Sequence, residues 1–212
     1  MPLEYEGEFR LYRVPMGPYD NNGYIVADGT GLDCYLVDAP AEPEKLLKEA
    51  EDLRVKGILI THNHGDHVAG LEVIRRTTRA PVGVHQADAD RVPGGADFFL
   101  KDGDDLKVGR TSIRVIHTPG HTPGSVCLLV GKHLISGDTL FPGGPGKTRT
   151  PEDLRQIVRA ITEKLLALDP DVVVYPGHGE GTTVWEAREE YRVFASRPHP
   201  PDLCGDVLWL KS

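Results

Sequence analysis

Thr61-His62-Asn63-His64-Gly65-Asp66-His67 places three imidazoles and a carboxylate within six consecutive positions, directly after the apolar run Gly57-Ile58-Leu59-Ile60. That density of nitrogen and oxygen donors suits a borderline divalent metal and has no use in a packed core. Ile58 to Thr61 reads as a short buried strand, beyond whose end the alternate residues His62 and His64 can point the same way. Gly65 allows a sharp turn. Val68, Leu71 and Ile74 then recur at helical spacing over His67 to Arg76, which sets Asp66 and His67 beside a helix start. The competing reading is a polar loop whose histidines cap a helix or face water; four donors of this kind in one turn argue against it.

One loop does not complete a paired metal site, and further donors follow other β-rich runs. His121 lies in Thr118-Pro119-Gly120-His121-Thr122-Pro123-Gly124, between strand-like Ser112–Ile116 and Ser125–Val130. Asp138 follows Leu134-Ile135, and His178 follows Val172-Val173-Val174-Tyr175. Loops held at strand ends by a rigid sheet are where sites are assembled. His117 is weighed as a support for the nearby His121 against a purely structural role, while His85, His133 and His199 read as structural or solvent-facing.

The order His-x-His-x-Asp-His, His, Asp, His resembles the metallo-β-lactamase superfamily over roughly residues 20 to 180. The resemblance implies a four-layer αββα sandwich, in which His62, His64 and His121 bind one metal, Asp66, His67 and His178 bind a second, and Asp138 bridges them. Two cations sharing a water generate hydroxide near neutral pH, with Asp66 orienting it and a metal polarising the substrate carbonyl. The implied cofactors are two divalent ions per chain, zinc first and iron or manganese otherwise, since cysteine is absent from the donor set.

Within that superfamily, Asp138-Thr139-Leu140-Phe141 followed by Gly144-Pro145-Gly146-Lys147 looks most like glyoxalase II, which hydrolyses the thioester of hydroxyacyl-glutathione. There, a lysine in the position of Lys147 meets the glycine carboxylate of glutathione; a lysine on such a loop is in any case a point charge for an anion. Departures are Arg149 and Glu180, where those enzymes carry tyrosines, and the absence of their C-terminal helical domain. The short glyoxalase II-like hydrolases are the better match, with Lys147 and Arg149 as substrate contacts and an anionic small molecule as substrate. Alternatives are a persulfide dioxygenase-like mononuclear iron oxidoreductase and a superfamily phosphodiesterase or nuclease.

The 212 residues suffice for one domain with a substantial core, and 39% hydrophobic with 26% charged residues is ordinary for a globular chain. A net charge of −8 and the lack of a basic arm disfavour nucleic acid. The acidic start Met1-Pro2-Leu3-Glu4-Tyr5-Glu6-Gly7-Glu8 has no leader pattern and no run is long enough to span a membrane, so a cytoplasmic location is expected. Cys34, Cys127 and Cys204 form no paired framework; the first two sit in strand-like runs as buried small apolar groups.

Periodicity alone predicts mixed α and β. Strands are expected near Gly23–Ala27, Cys34–Asp38 and Pro81–His85, with short strands within Phe98–Gly109. A hairpin is expected around Gly131-Lys132, a further strand over Val172–Tyr175, and helices over Pro43–Leu53 and Val184–Ala195. Thr150-Pro151-Glu152-Asp153 is a strong helix start, for a helix reaching about Leu168. The tail 197–212 reads as irregular.

Overall fold

A computed structural model describes residues 3–212; Met1 and Pro2 of the acidic start lie outside them. The chain begins with β1 (Leu3–Glu6), β2 (Phe9–Met16), β3 (Asn21–Asp28), β4 (Asp33–Val37), α1 (Pro43–Glu49) and β5 (Arg54–Leu59). A short turn of helix α2 (Gly65–Val68) and helix α3 (Leu71–Thr78) lead to β6 (Val82–His85) and, beyond a 3₁₀ turn at Gln86–Arg91, to β7 (Phe98–Leu100). These strands form a seven-stranded sheet in chain order β1 to β7, antiparallel as far as β4 and parallel from β4 to β7.

The second sheet takes β8 (Asp105–Val108), β9 (Thr111–His117), β10 (Val126–Val130), β11 (His133–Gly137), β14 (Val173–Pro176) and β15 (Thr182–Thr183), in the order 15-14-11-10-9-8. Between β11 and β14 come the small hairpin β12 (Leu140–Phe141) and β13 (Gly144–Pro145), then α4 (Pro151–Ala160), which continues into a widened turn at Ile161–Leu165. β11 and β14 are parallel, so α4 is their crossover helix. Helix α5 (Val184–Ala195) follows β15.

Strand alternation sorts side chains into three apolar layers. Tyr24, Val26, Leu59, Val126, Leu128 and Val130 meet between the sheets. Ile25, Ala27, Ile58 and Ile60 point the opposite way, into a layer shared with Leu46 of α1 and Leu71 and Ile74 of α3. On the outer side of the second sheet, Cys127 and Leu134 pack with Leu154, Ile157, Ala187 and Phe194 of α4 and α5. The layering is therefore αββα, as the resemblance implies. No helix is long and apolar enough to cross a membrane among the described residues.

The expected elements are present, with shifted bounds. The helix read over His67–Arg76 is two pieces, because Gly70 is not helical and its N–H instead donates to Ala39 O at 2.8 Å. The helix expected to Leu168 leaves regular α geometry after Ala160; Leu166 N–H bonds Ile161 O, a wider turn that puts both Leu165 and Leu166 on the buried side. α4 and α5 both begin with complete capping boxes, Thr150 with Asp153 and Thr183 with Glu186. Strands β1 and β2 have no counterpart in the sequence reading, although Phe9, Leu11, Val14 and Met16 are buried along β2. The tail is irregular as read, yet Val207 and Trp209 are buried with α4 and α5.

Main-chain hydrogen bonds join the sheets at one edge. Asn22 N–H donates to Gly177 O at 2.8 Å and Val126 N–H to Thr61 O at 2.9 Å. The loops after β5, β9, β11 and β14 all emerge there.

Because Leu128 is fully buried between the sheets, Leu128→Ala should cost about 2–5 kcal/mol. Thr150→Ala, which removes one cap at an exposed position, should cost about 1 kcal/mol. Urea unfolding of the two variants checks that order; equal losses would contradict the layering.

Candidate metal centre

The loops place all seven sequence-predicted donors together. Their ligand-type atoms form three overlapping sets, His62/His64/His121, His62/His67/Asp138 and Asp66/His67/His178, with all atoms of a set within 4.8 Å of one another. Asp138 lies between the outer sets: Oδ1 is 3.4 Å from His67 Nε2, and Oδ2 is 3.4 Å from His121 Nε2 and 3.5 Å from His178 Nε2. Asp66 Oδ2 is 3.3 Å from His178 Nε2 and 3.7 Å from His67 Nε2.

The rings are aimed from behind. His67 Nδ1–H donates to Asp38 Oδ2 at 2.8 Å, His121 Nδ1–H to Lys147 O at 2.8 Å and His178 Nδ1–H to Tyr19 O at 2.7 Å. Thr61 Oγ1–H donates to Asp38 Oδ2 at 2.8 Å, which leaves that hydroxyl to accept from His62 Nδ1–H at 3.1 Å. In all four rings the Nε2 atom therefore faces the cluster, the orientation that partners behind a metal-binding imidazole impose.

The interior of the cluster tests its fitness for a metal. His62 Nε2, His121 Nε2 and Asp138 Oδ1 are buried with no hydrogen-bond partner. His67 Nε2 and His178 Nε2 stand 3.2 Å apart. Buried polar atoms normally find partners, and lone pairs converging on one point are what a cation satisfies. The donors, all imidazole and carboxylate, fit divalent metals. Gly177 leaves room for this convergence: a Cβ there would lie 2.6 Å from His67 Cε1 and nearer still to Asp138 Oδ1.

Electrostatics divides the histidines. Burial holds His62, His64 and His121 below the ordinary imidazole pKa, so they present neutral nitrogens. Burial also opposes charge on His178, but its hydrogen bonds with Asp138 and Asp66 prevail and push it up to about 10. His67 is likewise raised against its burial, by Asp38 and Asp138. Burial would raise Asp138, yet contacts from His178 and His67 keep it well below the usual carboxylate range.

Four supporting residues escaped the sequence reading. Buried Asp38 directly follows β4 and accepts Thr61 N–H, Thr61 Oγ1–H and His67 Nδ1–H. Buried Asp88 ties two donor loops together by accepting Asn63 N–H, Thr122 Oγ1–H and Gly124 N–H. Asn21 Nδ2–H donates to Asp66 Oδ2 at 2.9 Å, and Asn22 Nδ2–H to Pro176 O and Gly179 O. An acid closing an apolar strand was the available signal for Asp38; Asp88 and the asparagines carried none.

His117 supports no ligand. Its ring stacks on His85 at 4.0 Å and donates to Pro123 O, because β9 directs it away from the cluster. Lys147 and Arg149 diverge. Lys147 borders a cavity of about 350 Å³ with Asp138, Phe141, His178 and Leu208. Arg149 borders another of about 350 Å³ with Asn63, His64, Arg91 and Asp153, and His121 lines both.

Layered sheets with a seven-donor cluster at their joined edge define a metal-binding type of scaffold. The profile of the metallo-beta-lactamase superfamily matches residues 16–178, and the chain belongs to that superfamily, whose members bind divalent metals. It is 32% identical over 201 residues to the "Probable metallo-hydrolase YqgX" of Bacillus subtilis, covering 84% of this chain and 94% of that protein. It is 36% identical over 169 residues to hydroxyacylglutathione hydrolase of Polaromonas, covering 76% of this chain and 62% of that enzyme. Among solved structures, ETHE1 from Myxococcus xanthus superposes with a TM-score of 0.77 at 26% identity, over 89% and 85% of the two chains. TTHA1623 in a di-iron-bound form superposes with a TM-score of 0.71 at 30% identity, over 84% and 96%.

Asp38→Ala should weaken metal binding by about 10–100-fold, as loss of a partner behind a ligand does. Chelator competition measures this, and unaltered affinity would contradict the positioning. Metal binding needs unprotonated nitrogens, so loading at pH 7 should release protons from the His67 and His178 pair, which the neighbouring carboxylates hold above the ordinary imidazole range. Calorimetry in buffers of different ionisation enthalpy counts them; no proton release would contradict the charge assignment.

Proposed function

We propose that this chain is a binuclear metal-dependent hydrolase that cleaves a thioester or related ester-type bond in an anionic small molecule, as a single domain over residues 1–212. The observation that carries this reading is the pair of donor triads with Asp138 between them and a cavity on either side. In it, His62, His64 and His121 would hold one metal and Asp66, His67 and His178 a second, with Asp138 shared between the two sets. Zinc is the proposed ion, with iron or manganese compatible with the same donors.

Two such cations, when bound, supply Lewis acidity and lower the pKa of a shared water. The protein's own groups then set direction. Asp66 is partly exposed, Asn21 holds its Oδ2 and His178 keeps it well below the usual carboxylate range, so this ionised carboxylate can orient an attacking water. Burial pushes Cys34 up to about 12 and Cys127 up to about 11, so neither provides a thiolate nucleophile. With Lys147 beside one cavity and Arg149 beside the other, a substrate spanning both places its acyl carbon near His121 and Asp138. The identity with hydroxyacylglutathione hydrolase supports a thioester as the bond cleaved.

Metal analysis with a panel of thioesters, lactones and persulfides tests the proposal. The expected result is about two metals per chain with turnover of thioesters. Asp138→Ala should lower bound metal and abolish that turnover, and unchanged metal content would refute the bridging role. One iron per chain with oxygen consumption on a persulfide would replace the hydrolase by a mononuclear oxidoreductase.

A further inference from the structure

The C-terminal segment Gly205–Trp209 is strapped across the loop that carries Lys147. Gly205 N–H donates to Thr148 O at 3.0 Å and Thr148 N–H to Gly205 O at 3.1 Å. Trp209 N–H donates to Gly143 O at 2.8 Å. Between these anchors Val207 is 2% exposed, and the Trp209 ring is fully buried, 5.4 Å from that of Tyr191. Gly144 adopts φ +155 under the strap, where a Cβ would stand 2.6 Å from Val207 O. Asp206 is thus carried on fixed backbone, and its Oδ2 lies 3.3 Å from Lys147 Nζ.

Lysine and aspartate are 67% and 75% exposed, so their pairing adds little to stability. Its consequence is electrostatic and local. The cavity behind them has apolar walls in Phe141, Pro142 and Leu208 and reaches Asp138 and His178. A carboxylate brought to Lys147 from that cavity would also meet the negative charge of Asp206. Arg149, on the other side of His121, borders the other cavity, whose lining holds Asp90 and Asp153 as well as Arg91.

We propose that Asp206 is a specificity-determining residue: by pairing with Lys147 it turns the Lys147 cavity from a carboxylate receptor into a subsite for an uncharged, apolar leaving group. This rests on the hydrolase reading above and names the charge of the leaving group. Discrimination follows from a fixed like charge at the subsite, the repulsive element that selective sites use.

The test uses two acetyl thioesters with one acyl group, of N-acetylcysteamine, which is neutral, and of 3-mercaptopropionate, which is anionic. The full-length wild type should favour the neutral compound. Asp206→Asn should raise kcat/KM for the anionic one by about two- to fivefold relative to the neutral one, mainly through KM. Adding Lys147→Met to that variant should cancel the gain. Binding of the corresponding S-benzyl thioethers, which are not hydrolysed, is measured in parallel by calorimetry. If no variant turns over either thioester, the hydrolase reading fails while the thioethers still decide the role of Asp206. An Asp206→Asn protein that binds the anionic thioether no better than the wild type, relative to the neutral one, overturns the assignment.

Discussion

Asp138 sits 3.4 Å from Nε2 of both His67 and His121 and 3.5 Å from that of His178, and the rest of the edge is arranged to keep it there. Burying a carboxylate beside His62 and His121, whose inner nitrogens have no partner, costs several kcal/mol unless something compensates. A cation is the compensation the donor chemistry fits, so the protein must hold the donors together before one arrives. It does this with main chain as much as with side chains. The sheets are hydrogen-bonded to each other through Thr61 with Val126 and through Asn22 with Gly177, beside the donors.

Charge is distributed with the same economy. Asp38 serves three donors at once, so a single buried carboxylate orients His67 directly and His62 through the Thr61 hydroxyl. Asp88 performs the equivalent task for the backbone, joining the loop of His62 and His64 to that of His121. Neither reaches the centre of the cluster. Their placement explains why the cluster tolerates so little freedom: the outer ring nitrogens of His62, His67, His121 and His178 are already committed, and rotation of such a ring would leave a donor unpaired. Gly177 marks the limit of that packing, since any side chain there would occupy the space of Asp138 and His67.

Much of this was legible in the chain itself. The seven donors were identifiable because each follows a β-rich run, and the layered fold followed from the family pattern they make. Strong caps made the starts of α4 and α5 readable. β1 and β2 were missed because β2 mixes buried Phe9 and Leu11 with Arg10 and Arg13, whose long side chains mask the alternation. The helix after the donor loop was overextended because apolar spacing continues across Gly70, and spacing does not register a backbone N–H that bonds elsewhere. His117 shared a strand end with the donors but faces the other way, a direction fixed by its stack on His85.

The sequence by itself determined which side chains gather at the joined edge: their identity and order are local properties, and imidazole and carboxylate groups at successive strand ends have few other uses. Only the tertiary structure decided what surrounds them. Asp38, Asp88 and Asn21 act on residues 23 to 45 positions away, and Asp206 meets a lysine 59 positions earlier, on a strap secured by Trp209. Such contacts arise from where packed layers bring distant loops, and no local periodicity encodes them. The donor set is therefore written in the chain, whereas its orientation and the charge of its neighbouring subsites belong to the fold.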